Sequence, residues 1–209
     1  MTVLALRTVP DPVLKTACRE VDSARFGTDK LRRLITDMME TMQAVDGVGL
    51  AGPQVGVSQS LFVFDVEGRQ GHVINPVLEV SGDVLYEPSE GCLSVPGLFY
   101  APPRRAEATV TGLNTEGQAV TYHGHGLFAR MLQHETDHLT GHLFVDRLQG
   151  EQRHQARRAM NTKQFKADTA QTQHQRAEQI GSAFMREGHS AGPHLAPSLK
   201  QHTPGGKRG

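Results

Sequence analysis

The stretch His134-Glu135-Thr136-Asp137-His138 carries two imidazoles four positions apart, with a carboxylate directly after the first. On an α-helix, positions i and i+4 share a face, so both rings can reach one metal ion. Glu135 then sits a step around the helix, within reach of a proton on a metal-held water. Two histidines do not complete a site. A structural zinc centre closes with four protein donors, whereas a catalytic centre takes three and leaves a position for water.

Two ways of extending the motif fail. In the pattern His-Glu-x-x-His-x-x-Gly-x-x-His, Gly141 falls in place but the last position is Phe144. In the pattern with a downstream glutamate ligand, the acids at the right distance are Asp168 and Glu178, in a polar stretch expected to be poorly ordered. Cys92 is the alternative third donor, because a thiolate binds zinc or ferrous iron strongly. A lone cysteine is more often a small buried apolar residue, but Gly91 permits a tight turn here and Pro96 stiffens the exit. Cys18 has no such surroundings and reads as structural.

The elements around these residues follow from patterning. Residues 1–27 read as an irregular lead-in with a turn at Asp11-Pro12. Thr28 is an N-cap for a helix whose stripe is Leu31, Leu34, Ile35, Met38, Met42 and Val45. Gly47 to Gly56 holds four glycines and a proline, excluding a regular helix, and it lacks the Gly-Lys-Ser/Thr ending of a phosphate loop. So bare a backbone suits the close approach of an extended ligand. Strands are expected at Leu61–Phe64, Val73–Leu78 and Val84–Glu87, and Glu90–Gly97 reads as a second loop. Ala108–Leu113 and Gln118–His123 flank Asn114-Thr115-Glu116-Gly117 as a hairpin. The motif helix starts near His125 or Gly126, and Leu143–Val145 is a last strand or turn. Glu151–Phe165 is helix-friendly, and the chain from about Asp168 onward is expected to be poorly ordered.

With 209 residues, a core of ordinary size is available. The formal net charge is zero, but residues 1–148 hold 12 Lys+Arg against 18 Asp+Glu and residues 149–209 hold 10 against 4. An acidic body therefore precedes a basic C-terminal stretch. Two cysteines make no disulfide framework and fit a reducing cytoplasm. No window has the length and apolarity of a membrane span, and no signal-peptide layout is present.

Three motifs, in order, resemble the peptide deformylase family: Gly-x-Gly-x-Ala-x-Pro-Gln-x-Gly at Gly47 to Gly56, Glu-Gly-Cys-Leu-Ser at Glu90 to Ser94, and Gln-His-Glu-x-Asp-His at Gln133 to His138. The resemblance spans roughly residues 3–160. Gly52 departs from it, standing where the family usually has a second alanine. The resemblance implies an α+β fold with mixed and antiparallel β-sheets packed around a central metal-binding helix. A catalytic domain would cover 1–165, including a C-terminal helix at about 149–165, and a basic polar tail 166–209. It implies removal of the N-formyl group from formyl-methionyl nascent polypeptides, with Cys92, His134 and His138 as ligands of one divalent ion. By the same resemblance that ion would be ferrous iron, with zinc, nickel or cobalt able to substitute. Glu135 would move the proton, and the Gln54 amide and Leu93 N–H would stabilise the oxyanion. Val48, Gly49 and Gly91 would pair with the substrate backbone. Met131 and Val48 would line the methionine pocket, and Arg105 would reach substrate carbonyls. Asp137 and Glu90 read as supports for this site. The basic tail suggests weak contact with ribosomal RNA, without membrane or DNA partners.

Overall fold

The computed structural model describes residues 3–187. After the lead-in, whose Leu14 is fully buried, helix α1 runs Asp29–Ala44. Thr28 caps it, its side chain accepting the Leu31 N–H at 3.3 Å. Leu31, Ile35, Met38 and Met42 make the buried stripe, as their helical spacing predicts.

The Gly-rich segment becomes the short strand β1 (Gly49–Ala51) and a 3-10 turn (Gly52–Val55). Strands β2 (Leu61–Val66), β3 (Arg69–Leu85), β6 (Arg104–Leu113) and β7 (Ala119–His125) follow, with β4 (Glu90–Cys92) and β5 (Val95–Tyr100) between β3 and β6. Five strands form one sheet in the order β1-β2-β3-β6-β7, and β4 pairs with β5 separately. All these pairings are antiparallel. Among the described residues, parallel pairing is confined to the isolated bridge between Arg19 and Gln59.

β2 explains why its sequence is a continuous apolar run rather than an alternation. Leu61 and Val63 pack with the α1 stripe, while Phe62 and Phe64 point to the other face. There they meet Phe128 and Leu132 of helix α2 (Gly126–Leu139), which carries the histidine motif. A strand covered on both faces has no polar side to show. Phe64 stands edge-on to both Tyr122 and Phe128, at centroid distances of 5.0 and 5.5 Å.

Two expectations are corrected. The Val73–Leu78 and Val84–Glu87 strands are one long strand, β3, with register shifts between Ile74 and Val77 and between Ser81 and Val84. Pro76 has no N–H for the ladder, so the chain bulges there instead of ending. Likewise Glu90–Gly97, expected as a loop, forms the β4–β5 hairpin, with Cys92 opposite Val95 at its tight end.

The third correction concerns the C-terminal stretch. Helix α3 covers Gly150–Asn161, and a second helix, α4, runs Lys163–Glu187 in place of poorly ordered chain from Asp168. Thr162 separates them and caps α4, its hydroxyl accepting the Phe165 N–H at 3.1 Å. Phe165 joins a core cluster with Leu14, Val95 and Phe144. One sparse anchoring face suffices when tertiary packing supplies the stability, so a polar composition conceals it. The rest of the expected tail, residues 188–209, lies outside the described residues.

Replacing Phe64 by alanine removes a ring that touches Phe62, Tyr122 and Phe128. The expected cost is about 3–5 kcal/mol, read as a lower urea midpoint at unchanged slope.

Candidate metal and catalytic site

α2 presents His134 and His138 on one face, their ring centroids 5.0 Å apart. The β4–β5 hairpin brings Cys92 to the same point. Donor atoms of Cys92, His134 and His138 all lie within 4.8 Å of one another, and Cys92 Sγ is 3.3 Å from His138 Nε2. Phe144, where a third histidine of the extended motif would stand, stacks on His134 at 6.1 Å and 23°. It sets that ring's plane as a wall instead of supplying a ligand.

Charge orders the surroundings. His134 Nδ1 is 3.0 Å from Glu90 Oε2, which turns Nε2 toward Cys92. Arg104 grips Glu90 with two bonds, Nε to Oε1 at 2.8 Å and Nη2 to Oε2 at 2.9 Å, and donates to Asp137 Oδ2 at 2.6 Å. Arg147 closes on Asp137 from outside, at 2.6 Å. Arg130 donates to Glu90 Oε1 at 3.3 Å and to the Glu87 carbonyl at 2.6 Å. Burial raises the Glu90 pKa, but bonds from His134 and Arg104 outweigh it and hold the carboxyl down at about 2. Burial lowers His134, and its bonds with Cys92 and Glu90 more than reverse this, leaving it well above its ordinary value. Burial, with the positive charge of His134 and Arg104 nearby, holds His138 well below its ordinary value, so the ring stays neutral and keeps a lone pair on one of its nitrogens.

Glu135 is 3% exposed, and its Oε2 has no hydrogen-bond partner among the described residues. Burial drives its pKa up to about 7, against the pull of His134 and with the push of Glu90. Gly49 is what makes room for it. A Cβ at Gly49 would crowd directly into Glu135 Oε1, with the Glu135 Cδ only 2.7 Å away. Gln54 is also fixed: its Oε1 accepts the Ala51 N–H at 2.8 Å, so its Nε2 must face Ser94 Oγ at 3.3 Å and Cys92 Sγ at 3.8 Å. Gly52 does not loosen this turn, because a Cβ there would meet the carbonyls of Val57 and Gln59 at 2.7 Å.

These groups open onto a cleft of about 600 Å³ lined by Val48, Gly49, Gln54, Gly91, Cys92, Leu93, Met131, His134 and Glu135, among others. One wall is β1, an edge strand; the opposite wall is β4. Arg105 is the site residue that the structure does not bring here. It pairs with Val84 in the ladder and its guanidinium donates to the Gly82 carbonyl at 3.0 Å, on the exposed side. Strand alternation turns its neighbour Arg104 inward instead. Sequence reasoning missed Arg104, Arg130 and Arg147, and also Ser94, Thr172 and Arg176. The adjacent arginines at a strand start were the available signal, since alternation must bury one of them.

A sulfur and two imidazole nitrogens in reach of one ion suit zinc or ferrous iron. With a buried, unpaired carboxyl and an open strand edge, this is the composition of a mononuclear metal-dependent hydrolase for extended chains. The comparisons with known proteins agree. Residues 3–154 match the polypeptide deformylase family. A peptide deformylase of Acidothermus cellulolyticus is 46% identical over 169 residues, covering 81% of this chain and 92% of that protein. One of Mycolicibacterium paratuberculosis is 46% identical over 177 residues, covering 78% and 89%. The crystal structure of peptide deformylase from Thermus thermophilus shares 37% identity at a TM-score of 0.71, over 83% of this chain and 99% of that one. The chain belongs to the polypeptide deformylase family, metal-dependent enzymes that remove the N-formyl group from newly made polypeptides.

Two outcomes follow. Gly49→Ala meets the buried Glu135 side chain from its carboxylate back to Cγ at 2.9 Å, so the carboxylate is displaced and activity should fall about 10²-fold, measured as kcat. Glu90, with its folded pKa depressed, adds stability that is complete above its unfolded value of 4.5 and is lost as pH falls toward about 2. Melting temperature should therefore drop more steeply between about pH 5 and about 2 in the native protein than in Glu90→Gln.

Proposed function

We propose that this chain hydrolyses the formamide of N-formyl-methionyl polypeptides at the Cys92, His134 and His138 site, with Glu135 moving the proton. The observation that carries the reading is Glu135 itself: a buried carboxyl with an unpartnered oxygen and a pKa of about 7, on the same helix turn as two histidines that face a cysteine. A group with that pKa can both accept and return a proton at neutral pH.

Cys92, His134 and His138 would hold one divalent ion, ferrous iron by the family resemblance, with zinc, nickel or cobalt as substitutes. Such an ion supplies Lewis acidity and a water acidic enough to attack near neutral pH. Glu135 accepts a proton from the attacking water and delivers one to the departing amine, so the C–N bond breaks to give formate and a free N-terminus. The Gln54 NH2, aimed by the Ala51 bond to its oxygen, and the Leu93 N–H face the carbonyl oxygen as it becomes negative. Losing one such donor costs about 2.7–4 kcal/mol of barrier.

The substrate backbone pairs with Val48 and Gly49 beside β1 and with Gly91 of β4, a contact that favours extended chains without reading their sequence. Val48 and Met131, with Leu127 beside them, give the methionine side chain an apolar wall. Work on nascent chains would place the protein in the cytoplasm; among the described residues, no helix is long and apolar enough to cross a membrane. The basic C-terminal stretch, with Arg153, Arg157 and Arg158 exposed on α3, adds weak contact with ribosomal RNA. Unchanged ribosome sedimentation after removal of residues 188–209 and reversal of those three charges would end that part of the reading.

The decisive assay follows formate release from a formyl-methionyl peptide by protein purified without air. Glu135→Ala should lower kcat about 10²–10⁴-fold, with metal content unchanged by elemental analysis. Equal release by both proteins would show that Glu135 has another role.

A further inference from the structure

The family match ends at residue 154, yet α4 reaches the cleft. Phe165, Thr169, Thr172 and Arg176 recur at intervals of four, three and four, which is one face of a helix. Phe165 and Thr169 are buried, and Phe165 packs with Val95 of β5. Further along the same face, Thr172 and Arg176 line the cleft beside Cys92 and Leu93.

Arg176 Nη1 donates to the Leu93 carbonyl oxygen at 2.9 Å. The same peptide unit carries the Ser94 N–H, which donates to Cys92 Sγ at 3.4 Å. This peptide is trans, so its C=O and N–H point to opposite sides. One rigid plane is thus held by a guanidinium at its oxygen and a sulfur at its hydrogen. A charged donor at a carbonyl makes a stronger bond than a neutral one, and polarising the carbonyl strengthens the opposing N–H as a donor. A hydrogen bond to a ligating sulfur in turn fixes its orientation and reduces the electron density it gives the metal.

We infer that Arg176 is a positioning residue for the site: through the Leu93–Ser94 peptide it orients the Ser94 N–H onto the Cys92 sulfur and tunes that sulfur as a ligand. α4 is thereby part of the active centre and not an appendage to it. The inference rests on Cys92 being a metal ligand, as proposed above.

The test uses the full chain loaded with Co²⁺ without air, in which a cysteine ligand gives a thiolate-to-cobalt charge-transfer band in the near ultraviolet. Arg176→Met keeps the aliphatic stem and removes every N–H. It should move the band to lower energy and weaken Co²⁺ affinity about tenfold. kcat on a formyl-methionyl peptide should fall similarly, with KM and melting temperature little changed. Arg176→Lys restores one charged donor and should recover at least half of the band shift. If the methionine variant does not fold, Arg176→Gln keeps an N–H without the charge, and its band should lie at lower energy than those of wild type and the lysine variant. A methionine or glutamine variant with the wild-type band position and affinity overturns the inference, as does a lysine variant that recovers nothing. A wild-type protein with no charge-transfer band overturns the ligand reading itself, and this inference with it.

Discussion

One buried guanidinium holds this structure's working parts in register. Arg104, on β6, binds Glu90 of β4 through two parallel bonds and Asp137 of α2 through a third. Each of these groups would be costly to bury alone, and taking away one partner from such a set typically costs about 3–5 kcal/mol because a charge is left behind. The three segments therefore have a single favourable arrangement. Glu90 lies two residues before Cys92 and also bonds Arg130 and His134 of α2, so the same charges that close the core also fix how far the cysteine hairpin stands from the histidine helix. The distances among Cys92, His134 and His138 follow from electrostatics within the protein, ahead of any ion.

Around that network, close packing sets the groups proposed to act on the substrate. Glu135 occupies space that any side chain at position 49 would fill, and Gln54 is oriented because one end of its amide already has a partner. Neither arrangement needs reorganisation when a substrate arrives, and such preorganisation is what makes dipoles and proton-transfer groups effective in a site shielded from water. Phe144 contributes in the same way, as a flat surface beside the His134 ring.

What the sequence disclosed follows from how local each signal is. The Thr28 cap, the α1 stripe, the Asn114–Gly117 hairpin and the motif helix depend on neighbours a few residues apart, and each is found where spacing puts it. The three motifs likewise identify Cys92, Gln54 and Glu135 as residues that the fold gathers at one cleft. Arg104 and Arg105 are indistinguishable until strand parity is known, and parity depends on a register that bulges in β3 shift twice. The continuity of β3 is hidden by Asn75-Pro76, which breaks the ladder without ending the strand. α4 is hidden by its polarity: its docking depends on Phe165 and Thr169 being buried against the body of the fold, a contact that no window of the sequence contains.

The unpaired edge of β1 also bears on which chains can come alongside it. An open strand is a template for any extended chain, including the exposed segments of another molecule of the same kind. Here the open edge is three residues long and lies within a cleft walled by the β4–β5 hairpin and α2. A single slender chain end can enter, but the edge of a folded sheet cannot come alongside. The recess that offers this edge to a single extended chain thus withholds it from a second folded sheet.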